Sequence, residues 1–215
     1  MARSKSSQRW LREYHGDEFV KKARAQNYRS RAVFKLQEID ERDRLFEAGA
    51  SVLDLGAAPG GWSQYAIQKV GPHGRVIAVD LLEIDPIPGV EVIRGDFRED
   101  SLVAKLIARL AERKLDVILS DMAPNQSGLD AIDQPKSMHL AQLALEMAFR
   151  SLAPGGTLLV KVFQGQGFDP YYRDIRGAFR QTAIRKPKAS RVRSREVFLL
   201  ARGFKAVHGS PISEI

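Results

Sequence analysis

Four acids and one glycine-rich stretch mark where this chain could do chemistry. From Val52 an apolar run ends in Asp54, passes through Gly56 and Gly60, and opens onto a helical pattern. Glycine lets backbone come close to a ligand, and the start of a helix offers unpaired N–H groups there. The spacing is D-x-G-x-x-x-G rather than the G-x-G-x-x-G of a dinucleotide site, which ranks a nicotinamide-dependent oxidoreductase low. Asp80 and Asp121 close two later apolar runs, and Asp96 follows a third almost at once. Ligands of open α/β sheets bind outside the carboxyl ends of the strands, so all four acids are expected to rim one crevice. A carboxylate after the second strand can accept two hydroxyl hydrogen bonds and suits a ribose diol. Asp96 and Phe97 suit an adenine, the carboxylate taking the exocyclic amine and the ring packing on the base.

Two lysines stand out for their surroundings. Lys161 lies between Val160 and Val162 in an apolar strand pattern, an unusual place for a charge that only solubilises. Lys35 lies between Phe34 and Leu36 in a helical pattern set by Ala32, Leu36 and Ile39, where most lysines merely reach out to water.

These residues need a parallel sheet to hold them. Strand patterns run over 52–55, 75–80, 90–93, 115–121 and 157–163, with helical patterns over 60–70, 101–113 and 136–152 between them. Asp169 and Pro170 read as the start of one more helix, to Phe179. Two short strands over 182–186 and 196–201 bracket the basic loop 187–195. This alternation predicts an α/β fold with a mainly parallel sheet covered on both faces. The loop 122–134 is long and rich in Pro, Asn and Gly, a candidate for function.

The 215 residues suit one such domain, and the chain has no cysteine and a net charge of +8. That charge is uneven. Residues 1–35 hold 10 Lys/Arg against 3 acids and residues 173–205 hold 11 against 2, around a mildly acidic middle. Two basic ends point to a polyanion, with nucleic acid ahead of a membrane surface. Residues 1–28 lack sustained periodicity and predict a partly mobile arm, whose Trp10, Tyr14, Phe19 and Tyr28 either stack on bases or anchor it to the domain. No stretch reaches the roughly 20 apolar residues of a membrane span, and no apolar signal segment opens the chain, so a cytoplasmic protein is expected. His15, His73, His139 and His208 lack ligand spacing, and no metal is expected.

Asp54, Gly56 and Gly60 together with Asp80 resemble the donor motif of Rossmann-like S-adenosylmethionine-dependent methyltransferases. More narrowly, the chain resembles the FtsJ/RrmJ (RlmE) family. The likeness is carried by Asp54-Leu55-Gly56-Ala57-Ala58-Pro59-Gly60-Gly61-Trp62-Ser63-Gln64, Ser120-Asp121-Met122-Ala123-Pro124-Asn125 and Val160-Lys161-Val162-Phe163-Gln164-Gly165. Arg29 to Leu36 and Ser190 to Val197 share it, and it runs from about Trp10 to Arg202.

The resemblance implies a seven-stranded methyltransferase domain over 29–205, between the arm 1–28 and a tail 206–215 of unknown role. It implies 2′-O-methylation of a uridine ribose in the A-loop of 23S ribosomal RNA, in the large subunit, by a monomer using S-adenosylmethionine. Methylation of a tRNA or an mRNA cap, or a non-catalytic assembly factor, are the alternatives. By motif, the family's catalytic set falls on Lys35, Asp121, Lys161 and Glu196. Its donor site falls on Gly60, Trp62, Asp80, Asp96, Phe97 and Asp121, with Gly56 shaping the turn. A ribose hydroxyl must lose its proton as it attacks a methyl donor, and a lysine beside a second cation can assist. Lys161 is the expected base or orienting group, Lys35 its cationic neighbour, and Asp121 and Glu196 hold the two ammonium groups. The loop 185–195, with Arg9, Arg12, Lys21, Lys22, Arg24, Arg29 and Arg31, is expected to bind RNA backbone.

Overall fold

The computed structural model describes residues 17–110, 113–124, 127–191 and 194–205. Trp10, Tyr14, Asn125, Arg193 and the tail 206–215 lie outside them. Two helices open the described chain, α1 (Glu18–Ala25) and α2 (Val33–Asp43). There follow β1 (Ser51–Leu55), α3 (Gly61–Val70), β2 (Arg75–Asp80), β3 (Val90–Arg94), α4 (Asp100–Arg109) and β4 (Leu115–Ser120). The chain continues with α5 (Asp130–Ser151), β5 (Leu152–Phe163), α6 (Phe168–Ala178), β6 (Phe179–Arg185) and β7 (Glu196–Phe204). The seven strands are ordered β3-β2-β1-β4-β5-β7-β6, and all pairs are parallel except those made by β7.

Strand alternation decides what each face holds. Leu53, Ile118, Val160 and Leu199 face one core with α4, α5 and α6. Val52, Leu119, Leu159 and Phe198 face the other, with Val33, Leu36 and Ile39 of α2 and Trp62, Tyr65 and Ala66 of α3. By the same period of two, Lys161 shares the face of Leu159, and Glu196 that of Phe198. The antiparallel register then sets Lys161 opposite Phe198 and Phe163 opposite Glu196.

Three local expectations change. Residues 18–25 form a helix capped by the Asp17 carboxylate, which accepts the Phe19 N–H at 2.9 Å. Val20 and Ala23 are buried, and Phe19 and Tyr28 pack on Phe34, so this part of the arm is anchored to the domain. Helix α5 begins at Asp130 and contains Pro135, although the sequence predicts a start after it. The proline removes one backbone donor. Side chains hold that end instead: Asp133 accepts from Ser127 and Gly128, and the Gln134 amide donates to the carbonyls of Phe163 and Gln166. Strand β5 begins at Leu152, before the Pro154-Gly155-Gly156 turn. Leu115 pairs with Leu152 and Val117 with Thr157, so that turn is an irregularity within the strand.

Candidate active site

The four residues Lys35, Asp121, Lys161 and Glu196, far apart in sequence, form two adjoining ion pairs at the edge of the core beneath α2. The Lys161 Nζ lies 2.9 Å from the Asp121 carboxylate and donates to the Asp121 carbonyl at 2.6 Å. The Lys35 Nζ lies 2.7 Å from Glu196 Oε1 and 5.6 Å from the centre of the Phe198 ring. Phe198 is the register partner of Lys161, so Lys35 sits over the strand neighbour of Lys161. Burial works to raise the Asp121 carboxyl, but the charges of Lys161 and Lys35 and a hydrogen bond from Lys161 outweigh it and hold it below its ordinary range.

The pairs lie along a line of contacts. The Asp121 N–H donates to the Leu55 carbonyl at 3.3 Å, and a Cβ on Gly56 would stand 2.8 Å from the Met122 side chain. The glycine turn therefore abuts Asp121, Asp121 holds Lys161, and Phe198 leads on to Lys35 and Glu196. Beyond those two opens a cavity of about 580 Å³, walled also by Arg31, Pro124, Phe163 and Arg191. A volume in this range takes a nucleotide-sized group. Lys161 and Asp121 do not line it.

The acids expected to rim one crevice separate into different roles. Asp80 is at the rim, its two oxygens accepting the N–H groups of Ala58 and Leu82, each at 2.8 Å. Each oxygen keeps a lone pair for a hydroxyl. Leu81 and Leu82 beside it are exposed apolar surface. Asp54 is fully buried rather than on the rim. One of its oxygens accepts the Ser63 hydroxyl at 2.6 Å, and the other has no hydrogen-bond partner among the described residues. Burial pushes its carboxyl up to about 7, the charges of Asp121 and Asp80 add to the rise, and the Ser63 hydrogen bond opposes it. Asp96 is engaged by Arg98, whose Nε and terminal nitrogen reach the carboxylate at 2.6–3.0 Å and hold its pKa low. Phe97 is buried in the core with Leu102 and Leu106.

The Trp62 indole points into the core, donating to the Ala32 carbonyl at 2.8 Å and packing on Phe198 at 5.7 Å. What it leaves toward the glycine turn is backbone N–H in the first turn of α3, where no helical acceptor exists. Gly60 caps that helix at φ 106°, and a Cβ there would meet Ile87 at 2.7 Å. The donor set thus offers a carboxylate with free lone pairs, apolar surface and the N–H groups of a helix's first turn. That chemistry fits a nucleoside donor with an amino-acid tail.

Two of the cations expected on the RNA surface serve the fold. The Arg29 guanidinium donates to the carbonyls of Pro59, Asp85 and Pro86, tying the loop after β2 to the glycine turn. Arg31 pairs with Asp17 and donates to the Ala189 carbonyl, so it links the start of α1 to the basic loop while lining the cavity. The basic loop is braced by Lys186, which donates to the carbonyls of Ser194 and Glu196, and by Arg195, 2.6 Å from Asp130 across the cavity mouth. Nothing in the sequence signals these carbonyl clasps, because they depend on which loops meet.

A profile of the FtsJ-like methyltransferase family matches residues 28–204. A "Ribosomal RNA large subunit methyltransferase E" from Cellvibrio japonicus is 53% identical over 204 residues, covering 95% of this chain and 97% of that protein. Among solved structures, a ribosomal RNA methyltransferase from Plasmodium falciparum superposes with a TM-score of 0.73 at 30% identity, covering 82% of this chain and 98% of that one. A Clostridium thermocellum structure at 16% identity and a TM-score of 0.55, covering 77% and 95%, shares the fold.

Proposed function

The chain belongs to the FtsJ-like methyltransferase family, and from that premise we propose that it methylates the 2′-hydroxyl of a uridine ribose in the A-loop of 23S ribosomal RNA. S-adenosylmethionine is the donor and the large ribosomal subunit the setting. One observation carries this reading: the line of contacts from the Gly56 turn through Asp121 and Lys161 to Lys35, Glu196 and the cavity. Methyl transfer needs a donor site and an acceptor site that meet at a group able to handle a proton, and the hold of Asp121 on Lys161 next to the glycine turn supports Lys161 in that part. The name of the Cellvibrio japonicus relative supports the RNA class of substrate.

Asp80 would hold the donor's ribose diol, Leu81 and Leu82 would flank its base, and the N–H groups of Gly61 and Trp62 would meet its amino-acid end. Asp96 would take the base's amine by sharing its carboxylate with Arg98, and Phe97 would support that loop from the core. When bound, S-adenosylmethionine supplies an electrophilic methyl on a sulfonium sulfur. Lys161 Nζ, kept in place by the Asp121 carboxylate and carbonyl, first gives its extra proton to solvent and then, as the neutral amine, takes the proton of the 2′-hydroxyl as the oxygen becomes the nucleophile. Lys35, braced by Glu196, directs its positive charge at the oxygen where negative charge develops. In-line positioning supplies much of the acceleration, because the donor is already electrophilic. Arg191 and Arg195 at the cavity mouth would meet the RNA backbone.

The test is tritium transfer from labelled donor to large subunits and to free rRNA, followed by mapping of the labelled nucleotide. Label on the 2′-oxygen of one A-loop uridine is expected. Label on a base, or on tRNA alone, would overturn the assignment.

A further inference from the structure

We propose that Ser190 is a positioning residue for methyl transfer, acting through Glu196. The inference rests on the reading of Glu196 and Lys35 given above. Ser190 sits in a loop made largely of cations, yet it is only 5% exposed. Its hydroxyl donates to Glu196 Oε1 at 2.8 Å, the same oxygen that meets the Lys35 ammonium at 2.7 Å. Oε1 is thereby held by two donors. Oε2 has no protein partner among the described residues, and Glu196 lines the cavity. A glutamate side chain has three rotatable bonds, and one ammonium at the end of a lysine stem does little to restrict them. The serine hydroxyl, only one rotatable bond from the backbone, supplies a second fixed point.

That backbone is itself clamped. The Ser190 N–H bonds the Pro187 carbonyl at 2.9 Å, Arg31 caps the Ala189 carbonyl, and the Lys188 N–H donates to Glu38 at 2.7 Å. The Ser194 hydroxyl accepts the Glu196 N–H at 3.1 Å, and Lys186 bridges the Ser194 and Glu196 carbonyls. The loop that presents Arg191 and Arg195 outward thus carries, on its inner side, the hydroxyl that orients Glu196. Misplacing a reacting assembly by about 1 Å can cost a hundredfold in rate, so one lost hydrogen bond at this remove should cost about tenfold.

Steady-state methyl transfer to large-subunit RNA by wild type, Ser190→Ala, Ser190→Val and Ser190→Thr tests this. Thr and Val share a shape and differ in the hydroxyl. Ser190→Ala and Ser190→Val should lose about tenfold in kcat with KM for RNA and donor within about twofold, and Ser190→Thr should recover most of the loss. In a Glu196→Ala background Ser190→Ala should add nothing, because its effect runs through that carboxylate. A raised RNA KM with unchanged kcat, equal behaviour of Val and Thr, or additive losses with Glu196→Ala would each overturn the role. Wild-type turnover is the separate control. Its absence removes the assigned reaction, whereas wild-type turnover with an unaffected Ser190→Ala removes Ser190 alone.

Discussion

The Lys161–Asp121 pair hangs from the carboxyl ends of two neighbouring parallel strands, whereas the Lys35–Glu196 pair joins a helix to the first residue of an antiparallel strand. The first is fixed by ladder register and by a second bond, from Lys161 to the Asp121 carbonyl. The second is fixed by loop contacts, with Ser190 and Lys186 as its braces. The first touches the glycine turn, and the second touches the cavity. Two pairs of the same chemistry therefore have different tolerances. One is built like core and should govern the chemical step. The other is built on a surface that must admit RNA, and should divide its influence between rate and recognition.

Breaking the strand-borne pair should have the largest effect. Asp121→Asn leaves Lys161 nearly buried without its counter-charge, at a cost of roughly 3–5 kcal/mol in stability, and activity should fall at least about a hundredfold. Denaturant melts and turnover at saturating substrates check both, and near-normal values would show that the pair is ornamental. Asp54 tests what lies beneath that pair. Its folded pKa of about 7 exceeds the ordinary 3.8, so the folded state binds the proton more tightly than the unfolded chain does. Its contribution is most favourable near pH 4 and is lost as pH rises through about 7. Asp54→Asn should therefore gain roughly 2–4 kcal/mol relative to wild type between pH 4 and pH 8. A difference independent of pH would mean that the carboxyl is not strained by burial.

The cavity-borne pair should respond less sharply. Lys35→Met should lower kcat about ten- to a hundredfold and leave donor affinity unchanged, which calorimetry on the donor and turnover on RNA separate. Should donor binding collapse as well, the division between the pairs would be wrong. Arg191→Glu should raise KM for RNA about fivefold, with a shallower salt dependence and unchanged kcat. An unchanged salt slope would make that side of the loop mere solvated surface.

Much of this was legible in the sequence because it is periodic. Alternation gives the strands, and the apolar flanks of Lys161 mark it as unusual. Three kinds of feature were not legible. Strand order and register, which bring Glu196 beside Lys35, are long-range and leave no local trace. The partners of the Trp62 indole, Phe198 and the Ala32 carbonyl, lie remote in sequence, although by composition alone a tryptophan there more often belongs to the core. The roles of Arg29 and Arg31 depend on backbone carbonyls, which any sequence supplies, so arginines that look like an RNA surface are in part fasteners of the fold. Asp54 shows the same limit from the other side: an acid ending an apolar run reads as rim, yet the Ser63 hydroxyl lets it remain inside.

The central claim is that Lys161 handles the proton of the reacting hydroxyl. The direct test is the single-turnover rate of Lys161→Ala with donor and large-subunit RNA both saturating, alongside donor binding measured separately. Donor affinity within about twofold of wild type and a methyl-transfer rate lower by roughly 10²–10⁴ are predicted. A single-turnover rate close to that of wild type would contradict the account.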